Sequence, residues 1–213
     1  MSMPKSRWLS ALAATALMAS ATALATDVTE ITPDDFYGAS YFETALEHPK
    51  VAKQKSESRK VALVARDLGW KKTKLRAALD KMRGLEGDPL ELARTAVMTG
   101  FEGSRVEGRV LDVLFNASEP KHVVVYVRWR GSRSRDAVKE ASTIAHIIAE
   151  KAPFVSTLSL AAIHPKSAVD SKTSVWEAKI GRTSMERIKP ARIDGYADRL
   201  YARMFEDMKT RPF

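Results

Sequence analysis

Apolar residues recur at helical spacing in the first half of the chain and at strand spacing in the second half. Two stripes at helical spacing are Val61, Val64, Ala65 and Leu68, then Leu75, Ala78, Leu79 and Met82. Gly69 and Gly84 are residues that end helices, and Asp88-Pro89 is a typical helix start. These signals predict a helical region over residues 41–103, with helices at 41–47, 73–83 and 90–99 and one that runs from a cap at Ser56 or Ser58 through Leu68.

After Gly103 the pattern changes to β-branched and aromatic residues, which favour strands. Strands are predicted at 106–115, 122–129, 155–163 and 174–181. A helix that begins at Ser134 or Asp136 separates the two pairs, and a last helix is predicted at 191–208. The fold class is therefore α+β. The N-terminal helical region is followed by a ββαββα unit over residues 104–213, with an antiparallel sheet and helices packed on it.

The N-terminal residues 1–25 have the order of a secretory signal peptide. Lys5 and Arg7 precede an apolar run at 8–19, and small residues lead to Ala25. The run is shorter than the roughly 20 residues of a membrane-spanning helix. We expect cleavage after Ala25 and a periplasmic or secreted protein with no stable membrane span. Residues 26–40 contain Pro33 and Gly38 without a sustained period, which predicts a flexible lead-in with little core.

Composition limits the possible chemistry. Loss of Lys5 and Arg7 with the signal peptide would lower the formal charge from +9 to +7, and this excess favours anionic partners. The chain has no cysteine, which excludes disulfides, thiolate metal sites and cysteine nucleophiles. The four histidines, at 48, 122, 146 and 164, lack the short spacings of metal or catalytic motifs, so no metal or cofactor is predicted.

The densest chemical feature is the eight-residue run Arg128-Trp129-Arg130-Gly131-Ser132-Arg133-Ser134-Arg135. It leads from a predicted strand into a predicted helix start, where backbone N–H groups and guanidinium groups suit phosphate, sulfate or carboxylate. Trp129 would add a stacking face for a sugar or base. The predicted ligand-binding residues are Arg128, Trp129, Arg130, Arg133 and Arg135. In the alternative interpretation, the arginines of a solvated loop pair with Asp136, Glu140 or Glu107.

A second feature, residues 61–82, resembles a helix-turn-helix. Gly69 falls in the turn, and the second helix would present Lys71, Lys72, Lys74 and Arg76 to phosphates. A tight helical hairpin with a glycine turn gives the same pattern. Export argues against DNA as the partner, so nucleic-acid binding is the interpretation only if residues 1–25 are not a signal.

These observations lead to one functional hypothesis and two alternatives. We expect an exported, non-catalytic envelope or secreted protein that binds an anionic polymer or a partner protein through a basic surface. The first alternative is the helix-turn-helix nucleic-acid binder. The second is a hydrolase with a site assembled from dispersed histidine, aspartate and glutamate residues, which a pocket joining His122 or His164 to a carboxylate would support. The two histidines would meet if their strand ends are neighbours.

Overall fold

Five helices occupy the first half of the chain in the computed structural model, which describes residues 26–169, 173–196 and 200–211. The predicted signal peptide at 1–25 lies outside the described residues. The helices are α1 (Pro33–Leu46), α2 (Pro49–Ala52), α3 (Glu57–Asp67), α4 (Lys72–Arg83) and α5 (Pro89–Gly100).

The helix starts and stops have local causes. At the start of α5 the Asp88 carboxylate accepts the N–H groups of Leu90 and Glu91 at 2.9 and 3.1 Å. Between α3 and α4, Gly69 has a φ of 70°, a backbone conformation that favours glycine. The chain therefore turns sharply there, as the sequence predicts.

The expectation of a flexible lead-in at 26–40 is wrong. Thr32 and Asp35 form a reciprocal capping box that starts α1 at Pro33. Ile31 and Phe36 are buried, so this segment contributes to the core. The apolar residues of the segment are few and lack an obvious period, but the cap and the proline at the first helical position suffice to define the helix.

Helix α1 joins two hydrophobic cores. Near its start, Phe36 stacks on Phe154 with ring centroids 4.8 Å apart and planes within 8°. Farther along, Phe42 packs in a separate cluster with Leu75 of α4 and Val64 of α3. The helical region therefore packs against the rest of the chain through side chains of α1.

Helices and a five-stranded sheet confirm the predicted α+β class. The strands are β1 (Val110–Asn116), β2 (Val124–Arg130), β3 (Thr157–Ile163), β4 (Ser174–Gly181) and β5 (Glu206–Thr210), in that spatial order. The sheet is mixed, so the expectation of a wholly antiparallel sheet is wrong for the pair β2 and β3, which is parallel. Helix α6 (Ala137–Lys151) connects them and returns the chain to the end of the sheet where β2 began.

The predicted last helix at 191–208 is also wrong. The segment contains a 3-10 turn, α8 (Ile193–Tyr196) and a second 3-10 turn before it enters β5. Phe205 packs edge-on against Trp176 at 5.6 Å, and Lys209 lies opposite Glu177 on β4. Pairing with the open edge of β4 outweighs the helical spacing of the apolar residues.

Among the described residues, helices cover one face of the sheet and leave the other open. Along β2, Val125, Val127 and Trp129 are buried, whereas Tyr126 between them is 46% exposed. The buried face receives the apolar stripe of α6, which includes Ile144 and Ile148. Two short helices, α7 (Arg182–Met185) and α8, follow β4 in the described part of the chain.

Asp35 provides a test of the α1 start. Its carboxylate accepts from Lys81 of α4 at 2.8 Å as well as from Thr32. Partial burial would raise the pKa of Asp35, but the hydrogen bonds from Lys81 and Thr32 outweigh it and hold the pKa below the ordinary 3.8.

We expect Asp35→Ala to lower the free energy of unfolding by about 1–2 kcal/mol at neutral pH. Because the folded-state pKa is depressed, this contribution is present above pH about 4 and is lost as the pH falls through the folded-state pKa. Urea unfolding across this range measures it. The control is Asp34→Ala, which breaks an exposed pair with Lys74 and is expected to change stability by less than about 1 kcal/mol. An equal decrease in the free energy of unfolding in Asp35→Ala and Asp34→Ala would contradict the prediction.

Candidate functional site

A buried carboxylate, Glu140, organises the arginine-rich segment. Glu140 is only 1% exposed, on the face of α6 that meets the sheet. It accepts from Arg109 Nη1 at 2.6 Å, Trp129 Nε1 at 2.8 Å, and Ser132 Oγ and N at 2.5 and 3.2 Å. These donors stabilise the buried charge and fix the start of the loop at 131–136.

Arg109 connects this centre to the strand ends. Its Nη1 also donates to the Arg130 carbonyl at 3.1 Å, and its Nη2 donates to the Arg105 carbonyl. Arg105 in turn pairs with Asp194 of α8 at 2.6 Å. The hydrogen bond and charge of Arg105 hold the pKa of the Asp194 carboxyl below its usual value. A chain of polar contacts therefore extends from α6 to α8.

Two of the five predicted ligand-binding residues have structural partners. Arg128 pairs with Asp112 on β1, with Nε and Nη2 at 2.7 and 2.6 Å from the same carboxylate oxygen. Trp129 is fully buried and packs edge-on against Trp176 at 5.9 Å. The prediction that Trp129 offers a stacking face is therefore wrong. Strand alternation places it on the helix-covered face, where its N–H is bound by Glu140.

Arg133 and Arg135 remain exposed, and neither forms an ion pair within the part of the chain that the structure describes. The carboxylates expected to neutralise them have other partners. Glu140 binds the donors named above, Glu107 accepts from the Gly103 N–H, and Asp136 accepts from Ser132 Oγ at 3.4 Å. The interpretation of the loop as a set of internal ion pairs is therefore wrong for these two arginines.

Arg130 lies beside them at the end of β2. It is partly buried, and its Nε has no hydrogen-bond partner among the described residues. The Gly131 N–H donates to the Ile163 carbonyl at 3.0 Å, which ties the loop to the end of the parallel neighbour β3. The loop at 131–136 thus leaves the carboxyl end of a parallel strand and leads into α6. In open α/β sheets, ligands often bind at this position.

The excess charge lies in the same part of the chain. Residues 104–213 contain 20 lysines and arginines against 13 aspartates and glutamates, whereas residues 26–103 contain 13 of each. The net +7 of the chain after residue 25 therefore belongs to the region that holds the sheet and the arginine loop. Long-range attraction of an anionic partner favours this half.

The region that resembles a helix-turn-helix contains α3, a turn at Gly69 and α4, an order that a tight helical hairpin shares. Lys71, Lys72, Lys74 and Arg76 are all exposed. Lys74 pairs with Asp34 at 2.5 Å and lies over the Trp70 ring at 4.1 Å, and Lys72 donates to Ser58 Oγ at 2.6 Å. Part of this cationic surface therefore has partners within the helical cluster.

The two histidines of the hydrolase hypothesis lie apart. His122 precedes β2 and His164 follows β3. Because β2 and β3 are parallel, in register and seven residues long, the two histidines are at opposite ends of the sheet, separated by roughly 20 Å. In the ranges the structure describes, no three histidine, aspartate or glutamate side chains are grouped to hold a metal ion. The expected meeting of His122 and His164 therefore does not occur.

Comparison of the chain with protein-family models, with curated proteins and with solved structures finds no match. Within the described residues, no helix has the length and apolar character needed to cross a membrane. The assignment of function therefore depends on the site itself.

Sequence reasoning missed Glu140 and Arg109 as the residues that hold the loop. A signal was present, because Glu140 lies three residues after Ala137 and four before Ile144, both on the apolar stripe of α6. A charged residue on a buried face needs partners. The sequence does not show which basic residue supplies them, because Arg109 is 31 positions away.

We expect Glu140→Ala to destabilise the protein by about 3–5 kcal/mol, because it leaves the Arg109 charge and the Trp129 N–H without their acceptor. Urea unfolding followed by tryptophan fluorescence measures the loss. The matched control is Glu150→Ala on the same helix, where the exposed carboxylate pairs with Lys151 at 2.8 Å. This control is expected to change stability by less than about 1 kcal/mol. A small effect of Glu140→Ala would contradict the anchoring role.

Proposed function

We propose that the protein is an exported, non-catalytic envelope or secreted protein that binds an anionic polymer through the arginine loop at 131–136. The observation that carries the proposal is the pair of exposed arginines, Arg133 and Arg135, which form no ion pair with any residue that the structure describes and lie on a loop that Glu140 holds in place. Their guanidinium groups have donors available for phosphate, sulfate or carboxylate oxygens.

Three further observations support this site. Arg130 contributes a third guanidinium at the same end of the sheet, and its Nε has no hydrogen-bond partner in the ranges that the structure covers. Helix α6 directs its N-terminus, with its partial positive charge, toward the same loop. The region as a whole has the net positive charge needed to attract a polyanion. A repeating anionic polymer could bridge several of these cations at once, which a single small anion cannot do.

The polymer proposal is tested by binding to heparin, used as a model polyanion, over a range of salt concentrations. We expect the full-length protein to bind, with an affinity that falls as the salt concentration rises. Arg133→Gln/Arg135→Gln is expected to make the negative slope of log affinity against log salt less steep by about two, one for each lost contact. The control, Lys71→Gln/Arg76→Gln, removes the same charge from the α3–α4 surface and is expected to leave the slope unchanged.

The two surfaces therefore give opposite results in this experiment. A less steep salt slope in the Lys71→Gln/Arg76→Gln variant alone would overturn the arginine-loop proposal and favour the helix-turn-helix surface. Duplex DNA then becomes the next probe, since a DNA-binding α4 would show a steep salt slope with it. Salt-independent binding, or no binding, would overturn both electrostatic proposals.

Export is tested separately by fractionating cells of the native host and determining the N-terminal residue of the recovered protein. We expect Thr26 as the first residue, in the envelope or the medium, because a signal peptidase cleaves after the small residue Ala25. Recovery from the cytosol with Met1 or Ser2 as the first residue would overturn export.

A further inference from the structure

The two edges of the sheet differ in how they discourage further pairing. All five residues of β5 are exposed, and charged side chains recur along it. Asp207 has a φ of 53°, and the pairing with β4 is irregular at this point. Charges and irregularities are the usual protection of an edge strand. Strand β1 is longer, and its seven residues are apolar except for Asp112 and Asn116. Its pairing with β2 is irregular between Val110 and Asp112 and regular from Asp112 to Asn116, so the edges differ mainly in charge.

The outer edge of β1 has no neighbour in the part of the chain that the structure describes. Strand β2 pairs with one side of β1, and the described segments form no further backbone hydrogen bonds to the other side. On the open face, Leu114 is 58% exposed and lies directly opposite Tyr126. An added strand would cover Leu114 and satisfy the outer backbone groups of β1.

A cleft of about 620 Å³ lies between α5 and the start of β1. Its apolar lining includes Met98, Phe101 and Val110, and Met98 is 44% exposed. A strand added to β1 would direct alternate side chains toward the helix layer, where this cleft lies, and toward the open face beside Leu114.

The cleft is acidic, although residues 104–213 as a whole are basic. Glu91, Glu102 and Glu107 line it together with one cation, Arg94, which pairs with Glu91 at 3.8 Å. Glu107 accepts the Gly103 N–H, and neither Glu102 nor Glu107 forms an ion pair within the described residues. The apolar residues of the lining can therefore contact the aliphatic part of a lysine or arginine side chain, and the carboxylates can bind its charged end.

We propose that the β1 edge and the cleft beside α5 bind an extended basic segment of a partner protein as a sixth strand of the sheet. The segment would alternate basic residues, which enter the cleft, with β-branched residues, which cover Leu114. A second copy of this chain fits less well, because pairing β1 with β1 would bring two acidic clefts to the same junction. The proposal uses other residues than the arginine loop, although the start of β1 and the carboxyl end of β2 lie at the same end of the sheet.

The probe is a fluorescein-labelled seven-residue peptide that alternates valine and lysine, added to the full-length protein. We expect binding by fluorescence anisotropy, and no binding of the matched peptide in which glutamate replaces each lysine. Glu102→Lys is expected to weaken binding by about tenfold or more, because it reverses a charge in the cleft. The control, Glu47→Lys at the end of α1, makes the same charge change outside the cleft and should bind as the unmodified protein does.

Amide hydrogen exchange then identifies the edge strand of the sheet to which the peptide binds. We expect the peptide to protect amides of β1 (Val110–Asn116) and to leave β5 unchanged. Protection of β5 instead of β1, equal binding of the glutamate peptide, or full binding by Glu102→Lys would each overturn the proposal. A concentration-dependent dimer without peptide, with protection at β1, would identify a second copy as the occupant and overturn it as well.

Discussion

A carboxylate removed from water must be surrounded by donors, and Glu140 satisfies this requirement with groups from three parts of the chain. Arg109 precedes β1, Trp129 belongs to β2, and Ser132 lies in the loop that follows. Because the Glu140 side chain binds all three groups, the end of the sheet, the loop and α6 are fixed in position relative to one another. Breaking such a centre by removing one partner is far more destabilising than losing an exposed ion pair.

The same centre separates the arginines into two classes. Arg109 is internal, and its charge is used to compensate Glu140. Arg133 and Arg135 lie just beyond Ser132, where the loop has already been fixed, and they face solvent. A sequence with several arginines close together does not distinguish these classes, since the distinction depends on which residues the fold places near the buried acid.

Local patterns predicted the fold well where local interactions determine it. The helices at α3, α4 and α5 and the first four strands lie within a few residues of their predicted positions, because caps, glycines and apolar spacing act over a few positions. The parallel pairing of β2 with β3 and the strand β5 depend on partners distant in sequence. The burial of Trp129 also depends on such a partner. For α1, the capping box of Thr32 and Asp35 is a local signal in a segment that lacks a sustained apolar period.

The bond between the Thr26 N–H and the Gly84 carbonyl, 3.0 Å long, places the beginning of the described chain at the C-terminal end of α4. Cleavage after Ala25 would convert that amide into an ammonium group. Its full positive charge would then lie at the negative end of the α4 dipole, an interaction of about 0.3–1 kcal/mol in favourable cases. Val28 and Ile31 are buried only a few residues later. Cleavage after Ala25 would thus produce an N-terminus that already contacts the folded protein. An aminopeptidase would have few unpacked residues to bind there.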